Sequence, residues 1–201
     1  GIYQANQKPI LDADGNISGY EAAKSHYVLY DDRTDDKTMV ATSIFNTQLN
    51  ENLIINAGGS FRNLKSHNYQ KLLDLLGGSY FEDVDGFCSG NQAQSDLNNP
   101  NSQVVVGDAY GYNYNYVANT LDAFSQFKFS YDKVDFYLAQ SFSSTNYQRE
   151  GLYKNGIYEN ISFGKSEKLQ FENFGFKGGL TYKLSGKQLL TFNGAHLTKA
   201  P

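Results

Sequence analysis

Apolar and polar residues alternate along two neighbouring stretches, Leu121–Tyr131 and Val134–Phe142, which flank the pair Asp132-Lys133. Because successive side chains of a β-strand point to opposite faces, each stretch predicts a strand that is apolar on one side, with Phe124 as the one exception. A two-residue turn closes the two strands into an amphipathic antiparallel hairpin. The resulting register aligns apolar residues with apolar residues and one polar misfit with another: Phe129 with Phe136, Phe127 with Leu138, Ala123 with Phe142, and Ser125 with Gln140.

The same alternation predicts two further hairpins. Thr38–Leu49 and Leu53–Asn63 flank a three-residue loop at 50–52, and Phe171–Leu184 and Gln188–Thr198 flank another at 185–187. Each loop length again aligns apolar residues across the hairpin: Leu49 with Leu53, Phe45 with Ala57, Ala41 with Phe61, Tyr182 with Leu190, Leu180 with Phe192, and Gly178 with Gly194. The chain is therefore predicted to be all-β, an antiparallel up-and-down meander of about six strands.

The predicted connections are short at one end of the sheet and long at the other. Tight turns fall near 50–52, 132–133 and 185–187, whereas long loops are predicted at about 1–36, 64–119 and 148–170. The middle loop is expected to contain a short helix, Tyr69–Leu76, ended by Gly77-Gly78. Short periplasmic turns, long extracellular loops and strands of about 9–11 residues are typical of outer-membrane barrels.

We therefore expect a partial transmembrane β-barrel over residues 1–201, since six strands are fewer than the roughly 8 that close the smallest barrel. Tyr131 and Tyr182 lie near the tight-turn end of the apolar face, where an aromatic girdle is expected. A soluble β-sandwich with one buried face also alternates, and it remains the alternative fold.

Composition narrows the function classes. Among 201 residues the net charge is −4, which is too small and too mixed for a nucleic-acid partner. The single cysteine, Cys88, excludes an internal disulfide, and no run of about 18 apolar residues predicts a transmembrane helix. Low overall hydropathy is compatible with a membrane barrel, in which only alternate residues face lipid.

Several stretches resemble barrel segments of TonB-dependent outer-membrane receptors: Leu53–Arg62, Lys65–Phe81 with its Asp74-Leu-Leu-Gly-Gly78, Gly178–Gly186, and Leu190–Pro201 with its Lys-Ala-Pro step. The resemblance implies a barrel of about 22 strands in the bacterial outer membrane, with loops facing the extracellular side. It also implies an internal plug domain, TonB as the energy-supplying partner, and an iron chelate, cobalamin, glycan or peptide as substrate. Both ends of the sequence are expected to be cuts inside a larger protein, with the plug and TonB-contacting segment outside it.

Two sets of residues are candidate binding sites. Four tyrosines at every second position could stack on a sugar or chelate: Tyr110, Tyr112, Tyr114 and Tyr116. An interfacial girdle or a strand extending above the membrane is the favoured alternative for the same four residues. Three oxygen-bearing residues begin like a calcium loop: Asp12, Asp14 and Asn16. The calcium pattern lacks its glycine and its bidentate glutamate, and the Asp-Gly pair favours an ordinary tight turn.

The remaining polar residues predict no catalysis. Glu82, Asp83 and Asp85 are expected to be a solvated loop cluster, and the three histidines have no metal-ligand spacing. No nucleophile elbow, phosphate loop or paired-carboxylate motif is recognisable. The chain is therefore expected not to be an enzyme and to need no cofactor apart from the calcium alternative.

Three functions follow as hypotheses. The first is part of an outer-membrane TonB-dependent receptor that captures and imports a substrate, with membrane lipid as a partner. The second is a soluble β-sandwich module that binds a glycan. The third is a barrel whose loops dock a surface-exposed or envelope protein.

Overall fold

A computed structural model describes residues 1–199; Ala200 and Pro201 of the Lys-Ala-Pro step lie outside the described residues. The strands, in chain order, are β1 (Gln7–Leu11), β2 (Ile17–Ala22), β3 (Leu29–Asn50), β4 (Leu53–Asp74), β5 (Phe81–Glu82), β6 (Gln103–Val104), β7 (Ala109–Ser130), β8 (Val134–Gly151), β9 (Gly164–Lys165), β10 (Leu169–Ser185) and β11 (Gln188–Leu197). A four-residue α-helix, α1 (Ile2–Ala5), and a 3-10 helix (Gly90–Ala93) are the helical elements of this part of the chain.

Six long strands form one antiparallel meander in the order β3-β4-β7-β8-β10-β11, with β9 paired to the end of β8. Each long strand lies beside the next long strand along the chain, so the predicted all-β, up-and-down meander is confirmed. Strands β3 and β11 lie at the two edges of this sheet. Two small ladders, β1-β2 and β5-β6, are separate from it.

The structure confirms the predicted hairpin registers. In the β10–β11 hairpin, Tyr182 pairs with Leu190 and Gly178 with Gly194. Contacts in the other two hairpins fit their predicted registers: the Phe129 and Phe136 rings stack with centroids 4.5 Å apart, Gln140 Nε2 donates to Ser125 Oγ at 3.1 Å, and Asn46 Nδ2 donates to Asn56 Oδ1.

Strands β3, β4, β7, β8 and β10 are longer than predicted, and the predicted helix Tyr69–Leu76 is wrong. Strand β4 continues through Asp74, because the Leu72 amide donates to Asp108 O at 3.0 Å and the Leu72 carbonyl accepts from Gly107 N at 2.8 Å. The chain turns only at Leu76 and Gly77, both with positive φ. Strands β7, β8 and β10 extend similarly, so the connections predicted at 64–119 and 148–170 begin later and end earlier than expected.

The chain divides into two compact units. The loop unit comprises 1–37, 65–116 and 148–167, and the sheet unit comprises 38–64, 117–147 and the residues from 168 onward. Leu72, Leu75, Val104 and Tyr110 form a small buried core in the loop unit, with Val28 and Phe81 packed against it. Among described residues, every buried hydrophobic side chain lies in the loop unit, so the sheet unit has no apolar core of its own.

Candidate functional site

The sheet unit carries one continuous apolar face. Alternation along each strand, combined with the registers above, puts apolar residues of all six long strands on the same side. Many of these side chains are largely exposed, including Phe45 at 58%, Leu138 at 58% and Phe192 at 61%. Soluble monomers rarely expose a contiguous apolar patch larger than a few hundred Å². The face therefore needs an apolar medium or a second layer to cover it.

The length of the apolar stretches is comparable with the apolar band of a membrane barrel. On β8 the apolar positions run from Val134 to Phe142, and on β10 from Phe174 to Leu184. At a rise of about 3.4 Å per residue, strands tilted by roughly 40°, as in known barrels, would cover about 21–26 Å of height over these stretches. Outer-membrane barrels present an outward apolar band of about 25 Å.

A ladder of amide side chains ends the apolar face at the side away from the tight turns. Asn63 Nδ2 donates to Asn119 Oδ1 at 2.6 Å, and Asn119 Nδ2 donates to Asn146 Oδ1 at 3.2 Å. In the register of β8 and β10, Asn146 lies opposite Gln170. The opposite end has aromatic residues, Tyr131 and Tyr182. Apolar residues bounded by polar and amphipathic side chains are what a strand presents as it leaves a hydrocarbon layer.

A pair of glycines leaves a gap in the apolar face. Gly178 and Gly194 pair across β10 and β11 and have no side chains to fill the space above them. An open cavity of about 600 Å³ lies there, lined among others by Phe127, Leu138 and His196. The predicted polar misfit, the Ser125–Gln140 hydrogen bond, lies in the neighbouring cross-strand row, so both polar groups have a partner.

The opposite face of the sheet unit, called here the polar face, is richer in polar side chains, although exposed Val40 and Ile44 of β3 also lie on it. Its cross-strand hydrogen bonds and ion pairs include Ser60 to Asp122 at 3.2 Å, Tyr137 to Asn193 at 3.3 Å, Asn173 to Ser143 at 3.3 Å, Thr181 with Thr191 at 3.2 Å, and Lys183 to Asp135 at 2.9 Å. These polar groups suit contact with water rather than hydrocarbon.

Two aromatic rings on this polar face lie across glycines of neighbouring strands. A Cβ added at Gly58 would be 2.7 Å from Cε1 of Phe124, and one at Gly179 would overlap the ring of Tyr137. Phe124 is the apolar residue that interrupts the predicted alternation of β7. Its ring lies on the polar face because it packs against the backbone of Gly58, which has no side chain. Covering a strand glycine with an aromatic ring restores packing that glycine lacks.

In the loop unit, Asn6 fastens the N-terminal segment to the end of β4. Its side chain is 0% exposed. Asn6 Nδ2 donates to Tyr27 O at 2.7 Å and to Leu75 O at 2.9 Å, while its Oδ1 accepts from His26 N at 2.8 Å. One fully satisfied side chain thus holds three backbone segments together.

The tyrosine run lies in strand β7. Whether it forms an interfacial girdle or extends above a membrane stays a prediction. Tyr110 is 7% exposed and packs edge-on against Tyr30 and Phe81 in the small core. Tyr112 donates its hydroxyl to Asp32 at 3.0 Å, and its ring lies 5.9 Å from that of Tyr114. Tyr116 is exposed. Tyr110 therefore packs internally, while a binding role of the other three stays a prediction.

Asp12, Asp14 and Asn16 form the turn between β1 and β2. Asp12 Oδ1 accepts from the backbone amides of Asp14 at 3.0 Å and Asn16 at 2.8 Å, and Gly15 has φ +81°. The Asp12 side chain thus closes an ordinary tight turn, which is the structure that the Asp-Gly pair favours. Within residues 1–199, no group of three or more His, Cys, Asp or Glu residues is arranged to hold a metal ion.

Asp83 departs from the predicted solvated cluster, because it is only 5% exposed. Its Oδ1 accepts from Gly111 N at 2.9 Å. Desolvation raises the pKa of Asp83, and the nearby Asp96 carboxylate raises it further. Glu82 is also engaged, in an ion pair with Lys24, whereas Asp85 is exposed as expected. The partners of Asp83 lie far away in the sequence, so no local pattern indicated its burial.

Fold and surface together define an antiparallel meander sheet with one uncovered apolar face. No helix of the described residues is long and apolar enough to cross a membrane. Comparison with protein-family models, curated proteins and solved structures finds no match to this chain.

Proposed function

We propose that the chain is a section of the barrel wall of an outer-membrane TonB-dependent receptor, which captures a substrate and imports it through a plugged β-barrel. The observation that carries the proposal is the exposed apolar face of the sheet unit, which is continuous over six strands and about as tall as a bilayer core. In this proposal, outer-membrane lipid covers the face, and the polar face lines a wet lumen.

The connections support the same orientation. Tight turns join β3 to β4, β7 to β8 and β10 to β11, and they face the periplasm. The longer connections face outward. Among the described residues, β3 and β11 are the edges of the sheet, and we infer that further barrel strands pair with them, because an open edge is not tolerated in hydrocarbon. The plug domain and TonB contact belong to other parts of the full receptor.

Substrate capture is assigned to the outward loops and to the adjoining outward end of strand β7. Tyr112, Tyr114 and Tyr116 offer aromatic faces with polar tips, a chemistry that suits a glycan or an organic iron chelate. A peptide substrate is a further candidate, since extended chains also pack against aromatic side chains.

Lipid-phase quenching tests the proposal at adjacent residues of β8. A fluorophore is attached to a single cysteine at Leu138 or at Ala139 of the full-length protein, in a Cys88→Ser background, and reconstituted with lipids that carry a quencher in their acyl chains. We expect strong quenching at 138 and weak quenching at 139, because the two side chains point to opposite faces. Equal, weak quenching at both positions would contradict the proposal and favour a soluble sandwich.

A further inference from the structure

A row of tyrosines on strand β7 lies beside a carboxylate within the loop unit. Tyr112, Tyr114 and Tyr116 are two residues apart, so their side chains share one face of β7. The rings of Tyr112 and Tyr114 lie 5.9 Å apart, and the Tyr112 hydroxyl donates to Asp32 Oδ1 of β3 at 3.0 Å. Tyr116 is 43% exposed, and Asp32 is exposed as well. Aromatic faces and a carboxylate are therefore open to a ligand on one surface.

The charge beside this row is negative. Asp32 belongs to none of the ion pairs found among residues 1–199. Burial first, and then the hydrogen-bonded Asp32 carboxylate, raise the pKa of Tyr112 to about 12, whereas a cation beside the hydroxyl would lower it. Arg149 of the adjoining strand β8 uses its guanidinium elsewhere, since its Nη2 donates to the carbonyls of Ile161 at 2.6 Å and Ser162 at 2.9 Å.

The loop unit as a whole carries the same sign of charge. It holds nine Lys and Arg residues against sixteen Asp and Glu residues, which is a net charge of −7, whereas the sheet unit has a net charge of +3. Such a surface attracts a cationic ligand and repels an anionic one. Stacking on tyrosine would also serve a neutral glycan, but the negative charge adds nothing to its binding. The charge therefore favours a positively charged substrate.

The spacing of the row indicates an extended peptide. Side chains on one side of an extended chain repeat about every 6.8 Å, because each residue rises about 3.4 Å, and the three tyrosines have the same two-residue period. Ammonium and guanidinium groups bind both to tyrosine rings and to carboxylates. We propose that Tyr112, Tyr114, Tyr116 and Asp32 bind an extended peptide through its Lys or Arg side chains. This inference names the substrate class of the proposed receptor and rests on that function.

Binding of short labelled peptides to the detergent-purified full-length protein, measured by fluorescence anisotropy, tests the inference. The probe is a capped hexapeptide of alternating lysine and alanine, and two matched peptides carry glutamine or glutamate in place of lysine. We expect the lysine peptide to bind roughly 10-fold more tightly than the glutamine peptide, and less tightly as salt is added. The glutamate peptide is expected to bind most weakly of the three.

Two variants locate the binding site. Asp32→Asn removes the charge but keeps an oxygen that accepts from Tyr112, and Tyr114→Leu removes one ring. Each is expected to bind the lysine peptide roughly 2- to 5-fold more weakly, as exposed ion pairs and cation–π contacts allow. Glu167→Gln removes the same charge from another exposed position of the loop unit and is expected to bind like wild type. Circular dichroism checks that each variant is folded.

Four outcomes would overturn the inference. The first is equal binding of the lysine and glutamine peptides by wild type, a comparison that needs no variant. The second is unchanged binding in both Asp32→Asn and Tyr114→Leu. The third is an equal loss in Glu167→Gln, which indicates general charge attraction. The fourth is displacement of the peptide by equimolar spermidine or by a neutral oligosaccharide, which indicates a small-amine or glycan site.

Failure of the proposed function is seen separately. Wild-type protein that binds the lysine peptide but is found in the soluble fraction refutes the membrane receptor and leaves the peptide site. Wild-type protein that is found in the outer membrane but does not distinguish the three peptides refutes only the substrate class.

Discussion

Leu138→Arg tests whether lipid or water covers the apolar face. Leu138 is 58% exposed and lies midway along the apolar stretch of β8, four residues from Val134 and four from Phe142. At about 3.4 Å per residue and a tilt of roughly 40°, it would lie about 10 Å from either edge of the apolar stretch, which the proposed function puts near the bilayer midplane.

At that depth an arginine is expected to lower the free energy of unfolding by about 2–4 kcal/mol, because a charge at the midplane must be solvated inside hydrocarbon. The same substitution on a water-exposed surface would change it by less than about 0.5 kcal/mol. Two controls bracket the effect. Tyr131→Arg, at the edge of the band, is expected to cost about 0–1 kcal/mol. Gln126→Arg, on the polar face, is expected to be nearly neutral.

The assay is reversible guanidinium unfolding of the full-length protein in lipid vesicles, followed by tyrosine fluorescence or far-ultraviolet circular dichroism. The predicted order of stability is wild type and Gln126→Arg first, then Tyr131→Arg, then Leu138→Arg. If Leu138→Arg unfolds at the same guanidinium concentration as wild type, water covers this face and the reasoning is refuted.

Three further predictions concern packing and charge. Gly179→Ala is expected to destabilise by about 1–3 kcal/mol, because its methyl group would overlap Tyr137, whereas Gly194→Ala, with open space around it, should be neutral in the same unfolding assay. Asn6→Ala should cost about 1–3 kcal/mol by leaving buried backbone groups unpaired, and hydrogen exchange should show faster amide exchange confined to the loop unit. Because the folded-state pKa of Asp83 is raised, its contribution to stability should fall as pH rises from the unfolded-state value through the folded-state value. Stability of the loop unit is read from its amide hydrogen exchange, and Asp83→Asn should remove this pH dependence of the stability. If the pH dependence persists in Asp83→Asn, another group is responsible for it.

The hairpin registers were predictable because two independent constraints agree. A tight turn fixes which residues face each other, and a one-residue slip would move every apolar side chain to the wrong face. The pairs Ser125–Gln140 and Gly178–Gly194 show how far this extends, since even residues that break the apolar pattern meet each other.

The extensions of the strands were not predictable from the apolar pattern. Beyond Asn63, the positions of β4 that continue the apolar face carry Lys65, His67 and Tyr69, so alternation disappears while backbone pairing continues. The leucines near the end of β4 then suggested a helix. The signal for the extension was the tyrosine run Tyr110–Tyr116, whose two-residue period belongs to strand β7.

The buried polar residues of the loop unit were beyond sequence reasoning for a different reason. Asn6 binds a carbonyl 69 residues away, and Asp83 accepts from an amide 28 residues away. Burial of such side chains depends on tertiary contacts rather than on local composition. Asp83 and Asp85 lie in the same acidic stretch of sequence, yet Asp83 is buried and Asp85 is exposed, and this difference arises only in the fold.

Fractionation of cells that express the full-length protein decides whether a membrane covers the apolar face. We expect the protein in the outer-membrane fraction, extracted only by detergent, and migrating differently on a denaturing gel before and after boiling, as closed membrane barrels do. A protein found in the soluble fraction without detergent, with the same migration before and after boiling, would contradict the account.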